Sequence, residues 1–171
     1  MSVDQTVDKL VVLFILDKME IPLNEDTLVE MVSAQEWIPY MDCKLAFTAL
    51  LETDFIYNVS KNNTPLYTIT ADGRACLQHF FAKIPSSLRD IITAHIKENR
   101  VYYRKSQEYF SDYYKNADGT YTVVLKILSP AQPVLDMKLC VPSRHTAKWI
   151  YRCWKDKAPQ VYESIYDLLI E

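Results

Sequence analysis

Apolar positions in the first half of the chain recur at helical spacing. Val7, Leu10, Val11, Phe14 and Ile15 lie three or four residues apart or adjacent on one stripe, which predicts a helix over residues 6–19. Leu13 and Leu16 widen that stripe and make the helix central, and Pro22 forbids its continuation. Asn24 is placed to cap a second helix, because its side chain can accept from an orphan backbone N–H. Glu25 and Asp26 follow in the first turn, where the helix dipole favours anions, and Leu28, Met31 and Val32 face inward. A short connection leads to a third helix over about residues 40–53. Cys43, Ala46, Phe47 and Leu50 form its apolar stripe, and Asp42, Lys44, Leu45, Thr48 and Glu52 the opposite face.

The period then changes. Residues 55–59 are rich in β-formers, residues 61–65 (Lys-Asn-Asn-Thr-Pro) are turn chemistry, and residues 66–69 return as a second strand. The result is a hairpin with a polar tip. Thr70 caps a fourth helix over 71–84, with Leu77, Phe80, Phe81 and Ile84 on its apolar side; Pro85 ends or kinks it. Ser86 or Ser87 caps a fifth helix to about Lys97. Helix, helix, helix, hairpin, helix is the order of a helix-turn-helix with a wing.

In the rear half, Val101 to Tyr114 is aromatic and β-prone, Asp118-Gly119 is a hairpin turn, and Thr120 to Leu128 is the return strand. Pro130 and Pro133 bracket a loop, after which Leu135, Met137, Leu139 and Val141 alternate as in a half-buried strand. Ser143 caps a helix over 144–155 with Ala147, Ile150, Tyr151 and Trp154 on one face and a basic stripe, Arg144, Lys148, Arg152 and Lys155, on the other. A last helix over 160–170 buries Val161, Ile165, Leu168 and Leu169. The expected fold class is α+β: an N-terminal winged helix-turn-helix followed by a small antiparallel sheet with two C-terminal helices. The corresponding divisions are 1–84, a connecting helix at 85–99, and 100–171.

Composition narrows the function. The chain has 171 residues and two glycines, too few for a Walker loop or a GxGxxG fingerprint. Its four cysteines form no CxxC pair and read as reduced thiols. With no positive n-region at its start and no apolar run long enough to span a bilayer, the chain is expected to be cytoplasmic and not membrane-bound. Cys76 and His79, at i and i+3, are half a metal site without further paired ligands, so no metal and no cofactor is expected. There is no GxSxG elbow and no HExxH, and no enzymatic activity is expected. Glu108 and Asp112 interrupt the aromatic cluster at 102–114, which favours sheet packing or a dimer surface over base stacking.

Two sequence patterns carry a resemblance. Leu50-Leu51-Glu52-Thr53-Asp54-Phe55-Ile56, and then Leu66-Tyr67-Thr68-Ile69-Thr70-Ala71-Asp72-Gly73-Arg74, resemble the helix ending, wing and next-helix start of bacterial winged-helix regulators. Asp54 stands where those families carry glycine, a left-handed position that aspartate tolerates. The whole chain, including Trp37-Ile38-Pro39-Tyr40, also resembles the uncharacterised bacterial family called domain of unknown function 4364. The winged-helix resemblance implies a DNA-binding transcription regulator acting as a homodimer on double-stranded DNA. Its recognition helix and wing would present Tyr40, Asp42, Lys44, Leu45, Thr48, Lys61, Asn62 and Asn63.

Charge points the other way. Residues 1–56 hold three lysines against eleven acids, a net of −8, and residues 143–157 hold five cations against one acid, a net of +4. DNA affinity rests mostly on Lys and Arg contacts to phosphate. The alternative is therefore a protein-interaction module that keeps the fold without binding DNA. The basic stripe reads as a solvated face, a phosphate contact, or a surface for the acidic front of the same or a second chain.

Overall fold

Seven consecutive residues, Leu10 to Leu16, are buried in α1 (Val3–Met19), so this helix is apolar on all sides and lies at the centre of its unit. The structure is a computed structural model that describes residues 3–60, 65–129 and 133–170. The chain divides into two units, Met1–Tyr103 and Arg104–Glu171.

In the first unit α2 (Glu25–Ala34) and α3 (Tyr40–Glu52) pack around α1. Asn24 caps α2 as its position predicts: the Thr27 N–H donates to its Oδ1 at 2.7 Å. Both helices end in the same hydrogen-bonded motif. At the end of α2, Trp37 N donates to Val32 O and Glu36 N to Ser33 O; at the end of α3, Phe55 N donates to Leu50 O and Asp54 N to Leu51 O. The left-handed residue each motif needs is an acid, Glu36 with φ 57° and Asp54 with φ 58°. Strands β1 (Ile56–Asn58) and β2 (Tyr67–Ile69) pair antiparallel, Ile56 opposite Ile69, and Leu23 adds a bridge to Tyr67 at the outer edge.

Helix α4 (Ala71–Phe80) starts on Thr70, whose hydroxyl accepts from Gly73 N at 3.0 Å and donates to the Asp54 carbonyl at 2.8 Å. The helix ends earlier than its apolar pattern predicts. A 3-10 turn, Phe81–Lys83, replaces the last turn, because Pro85 forces Ile84 into extended backbone. Helix α5 (Ser86–Glu108) is a larger correction, since it runs well past Lys97 and takes in the segment expected to begin a strand. Leu88, Ile92, Ile96 and Tyr103 keep helical spacing and pack on the first core, and that burial outweighs the β-propensity of Val101, Tyr102 and Tyr103. His95 and Tyr103 share a hydrogen bond of 2.7 Å on this helix, with Trp37 edge-on to the imidazole. Burial moves the His95 pKa below its ordinary value, against a weaker upward pull from Glu98.

The second unit is an antiparallel meander of β3 (Tyr109–Lys115), β4 (Tyr121–Leu128) and β5 (Pro133–Val141), covered by α6 (Arg144–Ile170). Gly119, with φ 87°, makes the β3–β4 turn, and Asn116 N donates to Thr120 O across it. The expected pair of C-terminal helices is a single helix. Pro159 lies inside α6 and removes one backbone donor. The stripe Ala147, Ile150, Trp154, Ala158 and Val161 continues across it in phase, so packing on the sheet holds both halves in one helix, whereas Leu168 and Leu169, expected to be buried, lie exposed beyond that stripe. Of the segment that Pro130 begins, residues 130–132 lie outside the described residues.

Candidate functional site

Helix α3 is fixed by its inner face. Cys43, Ala46, Phe47 and Leu50 are buried, and the Phe47 ring meets Tyr67 of the hairpin edge-on at 4.8 Å. This turns Tyr40, Asp42, Leu45 and Thr48 outward together, as their spacing predicts. Three large apolar or aromatic side chains stand exposed there: Tyr40 at 54%, Met41 at 63% and Leu45 at 59%. Sequence reasoning missed Met41. The signal available was its i, i+4 relation to Leu45 on the face away from Cys43 and Phe47. Tyr57 on β1 is a further exposed aromatic that the sequence reading left out.

Lys44 is the lone cation of α3, and it is engaged. Its Nζ lies 2.9 Å from Glu25 Oε1, with both side chains about one-third exposed, and 5.9 Å from the centre of the Tyr40 ring. The hydrogen bond to Glu25 holds the ammonium pKa above its ordinary value. An ion pair this exposed contributes about 0–1 kcal/mol, so its importance lies in cancelling the charge. The Thr48 hydroxyl bonds back to the Lys44 carbonyl at 3.0 Å. Burial, followed by the negative charges of Asp8 and Glu25, pushes the Cys43 thiol up to about 11. That thiol is neutral at pH 7, and it reports a negative environment beneath the start of α3. Over Met1–Tyr103 nine Lys and Arg stand against fourteen Asp and Glu, a net of −5. The expected wing contacts Lys61, Asn62 and Asn63 lie outside the described residues. The base of that hairpin is held by the Asn58 carboxamide, which accepts from Ser60 N and Leu66 N.

The basic stripe Arg144, Lys148, Arg152 and Lys155 is exposed along α6, as expected. Of the four, Arg152 and Lys155 line one cleft together with residues from β3 and the end of α5. Among the described residues no three His, Cys, Asp or Glu side chains come together as a metal site. No helix among them is long and apolar enough to cross a membrane.

Among the described residues six α-helices and two antiparallel sheets make a mixed α+β protein, with an exposed apolar face on α3 in the first unit and a basic cleft in the second. The chain belongs to the family described as domain of unknown function DUF4364, which it matches over residues 8–169. No curated protein and no solved structure matches it.

Proposed function

We propose that the first unit is a winged helix-turn-helix used as a protein-interaction module, with the outward face of α3 as its docking surface. The observation that carries this reading is the composition of that face. Tyr40, Met41 and Leu45 stand exposed, while the single lysine is neutralised by Glu25. Aromatic residues and methionine are enriched at protein interfaces, and their burial supplies affinity that needs no cation. Asp42, Glu52 and the Lys44–Glu25 pair rim the patch, which suits a partner segment that is apolar in the middle and basic at its margin.

The second reading is a winged-helix, DNA-binding transcription regulator acting as a homodimer. The element order α1, α2, α3, β1, β2, α4 favours it, together with the outward Tyr40 and Thr48 that could reach base edges. Lys44 would then leave Glu25 for phosphate at little cost, joined by Lys61, Asn62 and Asn63 of the wing. Exposed Ile91, Val101 and Tyr102 on α5 are available for a dimer surface.

Selection on fragmented DNA of the source genome, followed by fluorescence anisotropy on recovered fragments at two salt concentrations, separates the readings. The interaction module predicts no enriched site and only weak binding that is alike for every fragment. Enrichment of a few two-fold symmetric sites, with affinity falling steeply as salt rises and lost in Lys44→Ala, overturns it in favour of the DNA-binding dimer.

A further inference from the structure

The second unit contains an open cleft of about 290 Å³ that the proposed docking role does not use. Helix α6 brings Arg152 and Lys155 to it from consecutive turns, so both cationic heads serve one space. Opposite them stand Ser106, at the end of α5, and Ser111 on β3. Lys155 Nζ lies 3.5 Å from Ser106 Oγ, and the Ser111 hydroxyl donates to the Tyr151 carbonyl at 3.0 Å. Ser106 therefore keeps its proton for a ligand, while Ser111 closes the wall. No carboxylate lines the cleft, and Arg152 forms no ion pair with any described residue. Phe110 and Tyr151 add aromatic surface, and Tyr113 holds Tyr151 through an edge-on contact at 5.6 Å between ring centres.

We infer that this cleft binds a small phosphomonoester carrying a planar ring. Two cations match the charge of about −1.5 to −2 on a phosphomonoester at pH 7, whereas a single carboxylate would leave one of them unmatched. The guanidinium of Arg152 can take two phosphate oxygens at once, Lys155 supplies a point charge, and Ser106 donates a third kind of contact. The ring of the ligand rests on Phe110 and Tyr151. The volume is near the lower end for small-molecule sites, which suits a mononucleotide-sized ligand. Arg144 and Lys148 continue the stripe outside the cleft, which separates a pocketed ligand from a polyanion lying along α6.

The test is calorimetric titration of the full chain with phenyl phosphate and with purine and pyrimidine nucleoside 5′-monophosphates. Inorganic phosphate, the unphosphorylated nucleosides and a short DNA duplex serve as comparisons. The expected result is saturable one-to-one binding of at least one ringed monophosphate, about tenfold or more tighter than its nucleoside or inorganic phosphate. Arg152→Gln and Lys155→Gln should each weaken it about tenfold or more with the circular dichroism spectrum unchanged, and Lys148→Gln should leave it within about twofold. If either cleft variant fails to fold, Ser106→Ala carries the same comparison. Three results would overturn the inference: no saturation by any ringed monophosphate up to about 10 mM, equal losses from Lys148→Gln and Arg152→Gln, or tighter binding of the duplex than of every monophosphate.

Discussion

Gly73→Ala lowers the stability of the first unit by about 3 kcal/mol, although alanine is the better helix former by about 1 kcal/mol. Gly73 sits in the first turn of α4 and faces the carbonyl oxygen of Phe55 so closely that a Cβ would overlap it. That carbonyl cannot retreat cheaply. It accepts from Thr70 N at 3.0 Å, and the Phe55 N–H is tied to Leu50 O by the motif that ends α3. Ile56, next in the chain, is paired with Ile69. Any shift that admits the methyl group disturbs the hairpin, the end of α3 and the Thr70 cap together. The expected fall in thermal midpoint is about 10–20 °C by circular dichroism. An unchanged or raised midpoint would mean that helix propensity wins and that the contact is not tight.

Trp154→Ala has the largest expected effect in the second unit, a loss of about 4 kcal/mol. Only five described side chains are fully buried in that core, Val123, Leu125, Ala147, Trp154 and Ala158, and Trp154 is by far the largest. Its indole N–H also donates to the Lys126 carbonyl of β4 at 3.1 Å. Truncation leaves a cavity that two alanines and two aliphatic residues cannot close, and it removes that hydrogen bond. Trp154→Phe, which keeps most of the volume, should cost about 1–2 kcal/mol. Hydrogen exchange over Val123 to Ile127 reads both variants: protection of those amides should fall strongly in the alanine variant and modestly in the phenylalanine one. Equal protection in all three proteins would show that the sheet does not depend on this side chain.

These contacts also show which parts of the fold were legible in the sequence. Three caps were, because Asn24, Thr70 and Ser143 act on backbone groups three residues away, and each is seen to accept such a bond. The expected cap at Ser86 or Ser87 was misplaced, since both residues lie inside α5, whose first turn closes on the Pro85 carbonyl. The left-handed turn at Asp54 was legible for the same local reason. The ends of α4, α5 and α6 were not. At α4 the next proline reaches back through Ile84, while at α5 and α6 an apolar stripe overrides a β-prone segment and an internal proline. The outward face of α3 was readable from its spacing, apart from Met41. The Glu25 partner of Lys44 is nineteen residues away and is set only by how α2 packs on α3. In the same way, the stripe on α6 was visible in the sequence, but the meeting of Arg152 and Lys155 with Ser106 and Ser111 depends on the register of β3 against the helix.

The claim that α3 is a protein-docking surface is tested most directly by photo-crosslinking in cells of the source organism. A photoreactive amino acid replaces Leu45, and in a control replaces Tyr114, an exposed aromatic on β3. The expected result is a discrete protein adduct from position 45 that falls about tenfold or more when Tyr40 and Met41 are both changed to alanine, and no such adduct from position 114. Adducts only to DNA from position 45, or a protein adduct indifferent to Tyr40 and Met41, would contradict it.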